Sequence, residues 1–168
     1  EELKNYLEEK RYEVTEGTFS KRTLHVKGSG LLEDERYTEG YFSIQDEAST
    51  VAADELGAKP GETVIDVCAA PGGKTSAIAE LMGNNGKIYS CDIYEHKLEL
   101  IDKLADRLGL SIIEPTLLDG TSGKAEWNET ADRVLADVPC SGLGVIRRKP
   151  EIKYKDITDF RELVKIQK

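Results

Sequence analysis

The sequence predicts an α/β protein organised around a mostly parallel sheet. Two observations predict it. From Glu62 onward, short apolar runs alternate with longer amphipathic ones, the pattern of βαβ units joined by right-handed crossovers. Between the first apolar run and the first helix of that region stands a glycine-rich loop, Cys68-Ala69-Ala70-Pro71-Gly72-Gly73-Lys74-Thr75. Open parallel sheets hold nucleotide-like ligands at such a junction.

Taken in order, Leu3 to Lys10 reads as a short helix, with Leu3 and Leu7 one turn apart. Thr18 to Lys27 and Tyr41 to Ile44 read as extended, with a turn at Gly28-Ser29-Gly30. Residues 1–44 thus form a small α+β extension, and residues 45–168 the first part of the main domain. Glu47 to Leu56 is helical, with Ala48, Val51, Ala52 and Leu56 on one side and Gly57 as a stop. Thr63 to Val67 is an apolar strand of the kind buried on both faces. A helix follows from Lys74 to Met82, then a second strand from Lys87 to Asp92. Glu95 to Leu108 is an amphipathic helix ending at Gly109, with Leu98, Ile101, Ala105 and Leu108 on one face. Ser111 to Thr116 and Arg133 to Asp137 are the third and fourth strands.

Composition bounds the function classes. With 168 residues and 39% hydrophobic content, the chain can bury a sizeable core without disulfides. No run is long and apolar enough for a transmembrane helix. The first residues, Glu1-Glu2-Leu3-Lys4, have no secretory-leader pattern, and the missing initiator Met predicts a segment of a longer chain. Three sparse cysteines, Cys68, Cys91 and Cys140, lack metal-ligand spacing. They predict a reducing, cytoplasmic setting and no metal. The net charge of −9 divides into −13 upstream of Cys140 and +4 from Cys140 onward. The stretch beyond is basic, and Arg147-Arg148-Lys149 with Lys153 and Lys155 suits phosphates as well as it suits a solvated charge run.

Three ligands suit a loop of this kind. A triphosphate needs GxxxxGK[ST], and Gly73-Lys74-Thr75 matches its end. The opening glycine would fall at Cys68, whose side chain obstructs the phosphate cradle. A dinucleotide needs GxGxxG, which is absent. S-adenosylmethionine carries no phosphate and tolerates a looser loop. Acidic residues at strand ends favour it. Asp92 is placed to accept from ribose hydroxyls, Asp119 to face an adenine amino group, and Asp137 to stand beside the loop. Each taken singly reads equally well as a cap or turn residue. Pro139-Cys140 presents a thiol at a strand top. Attack by a thiol on C6 of a pyrimidine makes C5 nucleophilic towards a methyl donor. Cys91 reads as core, Cys68 as loop packing, and His25 and His96 have no partner in the pattern. Lys97 reads as a solvated helix lysine within reach of Asp92.

Three stretches together resemble the RNA (cytosine-5) methyltransferases, and within them the bacterial branch acting on small-subunit ribosomal RNA. They are Tyr41 to Ser49 (YFSIQDEAS), Val64 to Thr75 (VIDVCAAPGGKT) and Asp137 to Arg148 (DVPCSGLGVIRR). The resemblance implies a Rossmann-like methyltransferase fold, here truncated, with strand order 3-2-1-4 after the α+β extension. It implies S-adenosyl-L-methionine held by Cys68, Ala69, Ala70, Pro71, Gly72, Gly73, Lys74, Asp92, Asp119 and Asp137. It implies an RNA partner, and Cys140 as the thiol that helps release the methylated base. The attacking thiol belongs to a downstream Thr-Cys motif that these residues do not contain. The expectation is a chain that binds cofactor without rapid turnover and exposes its fourth strand to self-association. The rival reading from another class is a non-catalytic module that holds the cofactor or RNA. A P-loop hydrolase is a third.

Overall fold

A computed structural model describes residues 1–146, 149–154, 163–165 and 167. The chain opens with α1 (Glu2–Glu9), which buries Leu7. An antiparallel hairpin follows, β1 (Glu13–Glu16) and β2 (Leu24–Lys27), with Val14 opposite Val26. The short α2 (Glu35–Thr38) is capped by Asp34, whose carboxylate accepts from the Arg36 N–H. A segment without regular structure, residues 39–46, leads to α3 (Glu47–Leu56), which stops at Gly57.

The main sheet comes next, as β3 (Thr63–Asp66), α4 (Gly73–Leu81), β4 (Lys87–Asp92), α5 (Glu95–Leu108), β5 (Ile113–Leu117) and β6 (Arg133–Leu135). All four strands are parallel, in the order β5-β4-β3-β6. That is the predicted 3-2-1-4 arrangement.

Side-chain alternation along β3 builds a core on each face of the sheet. Val64 joins Ala53, Ala77, Ile78, Met82, Ile88 and Leu110 on one face. Ile65 joins Cys91 and Leu118 on the other, beneath Tyr89 and Trp127. Burying a side chain such as Met82 or Ile88 contributes about 1.5–3 kcal/mol. The edge strand β6 is pinned where it begins. Arg133 reaches Glu62 through Nε at 2.6 Å and Nη2 at 3.1 Å, and donates from Nη1 to the Leu56 carbonyl. Among the described residues β6 pairs with β3 alone, and Val134 is exposed.

Several expectations are corrected. β1 has no counterpart in the reading of the extension, and the extended stretch there shrinks to Leu24–Lys27. Residues 41–44 are not a strand. The α3 core face is Thr50 and Ala53, not Ala48, which is exposed. The helix is rotated because α4 packs beside it, and alanine-rich faces carry too little contrast to orient it. The third strand begins two residues late, and the fourth ends at Leu135. Among the described residues, no helix is long and apolar enough to cross a membrane. Arg147, Arg148 and Lys155 of the basic run lie outside the described residues.

Candidate functional site

The parallel register places the carboxyl ends of β3, β4 and β6 along one rim of the sheet. At the end of β3 the chain turns through Val67 to Gly72 into α4, with a cis Ala70–Pro71 peptide. Gly72 caps that helix at φ +106°, a conformation that side chains resist. The first N–H groups of α4 have no intrahelical acceptor and point at the rim. A cavity of about 450 Å³ opens there, lined by Cys68 to Pro71, Gly73, Lys74 and Asp137 from the predicted set. A larger cavity of about 1390 Å³, beside the hairpin and α3, contains none of that set.

Charge in the smaller cavity is arranged around Lys74. Its ammonium lies 2.6 Å from the Asp137 carboxylate, joining the β3–α4 loop to the segment after β6. Asp92, at the end of β4, is buried; it accepts from the Tyr94 N–H at 3.1 Å and faces Lys97 at 3.5 Å. Lys97 also sits over the Tyr94 ring, so it is a partner of Asp92 and not merely a solvated lysine. Asp119 stands apart. It is exposed, closes a turn by accepting from the Thr121 N–H and hydroxyl, and those bonds hold its carboxyl below the usual range.

The three thiols stand in different surroundings. Cys91 is buried core, and burial pushes its thiol up to about 12. Cys68 lines the cavity, and its thiol is also raised, by burial and then by the neighbouring carboxylates. Cys140 is exposed and does not line the cavity. The thiol beside Lys74 and Asp137 in this arrangement is therefore Cys68. The β6 ladder ends two residues early, leaving the Pro-Cys segment as irregular backbone that reaches outward.

Sequence reasoning missed four residues. Asp66 ends β3, is 1% exposed, and accepts from the Thr75 hydroxyl at 2.7 Å. Burial raises its carboxyl to about 6, while Thr75, Lys74 and the Cys68 N–H pull the other way. A single acidic residue inside an apolar strand was the available signal. Gln45 and Arg107 also line the cavity. Arg107 donates to the Tyr37 and Phe42 carbonyls at 2.5 and 3.0 Å and stacks on Tyr37, which straps residues 37–45 across α5. His25, given no partner above, lies 2.8 Å from Glu47, which also accepts from the Phe19 and Ser20 N–H groups. Among the described residues no cluster of potential metal ligands is found.

Comparison with known proteins places this geometry. Residues 53–168 match the family model described as 16S rRNA methyltransferase RsmB/F. A Bacillus subtilis protein named "Probable ribosomal RNA small subunit methyltransferase B" is 44% identical over 168 residues, 99% of this chain and 38% of that protein. Ribosomal RNA small subunit methyltransferase B of Pseudomonas syringae pv. tomato is 37% identical over 133 residues, 78% of this chain and 30% of that one. The crystal structure of PH0851 superposes with TM-score 0.91 and 36% identity over 98% of this chain and 38% of its own. That of NSun6 from Pyrococcus horikoshii with SFG gives 0.72 and 29% over 86% and 38%. The chain thus spans well under half the length of each of these proteins.

Proposed function

Because the chain belongs to the 16S rRNA methyltransferase RsmB/F family, we propose that it serves transfer of a methyl group from S-adenosylmethionine to C5 of a cytosine in small-subunit ribosomal RNA. The observation that carries this reading is the β3–α4 loop. It offers free helix N–H groups and lacks the phosphate-cradling glycine at position 68. It also sets Lys74 against Asp137 beside the cavity. This donor set fits an adenosyl amino acid better than a polyphosphate.

In this reading Cys68 to Lys74 hold the cofactor's amino-acid end, and Asp92 takes the ribose hydroxyls. Asp137 holds Lys74 at the edge of the base site. The three thiols stay reduced in the cytoplasm. When bound, the cofactor supplies an electrophilic methyl group on a sulfonium. Asp119 joins the set only if the turn at Thr121 opens, since its carboxylate is already engaged. Cys140 is assigned the release of the methylated base. No Thr-Cys motif for attack on C6 is present in these residues. The open edge of β6 is proposed to promote self-association, measurable as a concentration-dependent sedimentation coefficient.

Calorimetry separates the ligand classes. S-adenosylhomocysteine should bind and ATP with Mg²⁺ should not; the reverse result would assign the loop to nucleotide hydrolysis. One observation favours the rival non-catalytic module, namely that Cys140 stands outside the cavity. Formation of 5-methylcytosine in undermodified ribosomal RNA by this chain, with loss in Cys140→Ser, would exclude that rival.

A further inference from the structure

Two cavities meet at the segment that leads into α3. Ser43, Ile44 and Gln45 line both the cofactor cavity and the larger space of about 1390 Å³ beside the hairpin. Gly144 and Val145, a short way beyond Cys140, also line the larger one. It therefore adjoins the cofactor cavity on one side and the segment after the Pro-Cys pair on the other.

Its lining offers aromatic faces to solvent. Phe19, on the hairpin turn, is 82% exposed, and Tyr41 is 64% exposed. Arg36 packs over the Tyr41 ring at 5.4 Å and still leaves that residue mostly open. Exposed apolar surface gathered in one place marks a surface that a partner covers. The cations in the lining are engaged within the protein. Arg22 donates to Asp54 at 2.7 and 2.9 Å and reaches Glu80 at 3.4 Å, and His25 faces Glu47 at 2.8 Å. Ring faces without free cations suit bases and not phosphates. The Thr23 hydroxyl, also in the lining, is buried and has no partner among the described residues; a base edge would satisfy it. Cations suited to the phosphates follow in sequence, where Val145 and Ile146 lead into Arg147, Arg148 and Lys149.

We propose that this cavity receives unpaired nucleobases flanking the target cytosine, stacked on Phe19 and Tyr41, while the target itself enters the smaller cavity. The N-terminal extension thereby selects single-stranded RNA, because bases within a duplex have their faces covered by their neighbours. The assignment rests on the methyltransferase reading above.

The test titrates the 168-residue chain, saturated with S-adenosylhomocysteine, against two labelled single-stranded oligoribonucleotides, read by fluorescence anisotropy. One carries bases throughout; the other carries a single cytosine between abasic riboses. Phe19→Ala and Tyr41→Ala should each weaken the first by roughly 5- to 150-fold, the worth of one stacked base. They should leave the second within about twofold, since it has no flanking base to stack. Tyr41→Phe keeps the ring and should bind both as wild type does. Phe19 is exposed enough that its truncation spares the fold, and calorimetry should show unchanged affinity for S-adenosylhomocysteine in all three variants. Equal losses on both RNAs, or no loss on the first, would overturn the subsite. So would a wild-type sedimentation coefficient that rises with concentration and stops rising in Phe19→Ala, which would give the cavity to a second copy of this chain. A wild-type chain that binds S-adenosylhomocysteine but neither RNA would overturn the subsite alone. One that binds no S-adenosylhomocysteine would overturn the methyltransferase reading with it.

Discussion

Gly40 lies directly against the Arg107 carbonyl, so closely that any Cβ on Gly40 would overlap that oxygen, and its φ is +86°. The contact joins the strap to the last turn of α5, opposite the Arg107 side chain's own bonds to Tyr37 and Phe42. Arg107 therefore grips the N-terminal segment by backbone and side chain together. Gly40→Ala is expected to cost about 1–3 kcal/mol, through overlap with a backbone atom and a left-handed conformation. Thermal unfolding reads the loss, and hydrogen exchange should quicken across residues 37–45. An unchanged melting temperature would mean that the strap does not depend on this contact.

Asp92 combines burial with a short turn at the β4 end. Asp92→Ala should weaken S-adenosylhomocysteine by roughly 5- to 150-fold, the effect of deleting a well-placed acceptor in a polar site. Lys97 would then lose its partner, which adds to the effect. Wild-type affinity in this variant would move the ribose site elsewhere on the rim.

Asp66 ties stability to pH with an unusual sign. Its carboxyl is raised to about 6 in the folded chain, mainly by burial, from an ordinary value near 3.8. Well below the ordinary value of 3.8 the group is neutral in both states and has no effect. As pH rises through 4 to 6 the unfolded chain ionises first, and the folded chain loses up to about 3 kcal/mol. The melting temperature of Asp66→Asn, relative to wild type, should therefore climb across that interval. A difference that stays flat from pH 4 to 7 would remove Asp66 as a buried acid.

Glu62 has the opposite sign. The Arg133 guanidinium and the Lys59 N–H hold its carboxyl down at about 2. The stabilisation is complete above the ordinary carboxylate range and is lost as pH falls towards 2. Glu62→Gln should lower the melting temperature at neutral pH and loosen β6, with the difference from wild type closing in acid. A variant that melts with wild type at neutral pH would show that the β6 ladder alone suffices.

The sequence by itself determined the elements whose signals are local. Lys87–Asp92 and Glu95–Leu108 appear with the bounds that alternation, periodicity and Gly109 predict. The parallel sheet followed from the βαβ units, its strand order from what the resemblance implies, and the rim residues Lys74, Asp92 and Asp137 from where parallel strands end. Only the tertiary structure decided the rest. The link from Arg107 to Tyr37 spans 70 residues, and no periodicity within a helix reports which distant carbonyl its arginine meets. Asp66 reads as an ordinary strand polar residue until α4 covers it and desolvation changes its chemistry. Cys68 lines the cavity and Cys140 does not, a distinction set by where the loops after β3 and β6 come to lie and not by either cysteine's neighbours in sequence. Local pattern sets what each segment can form; which of its polar atoms end up buried, and beside what, is set where separate segments meet.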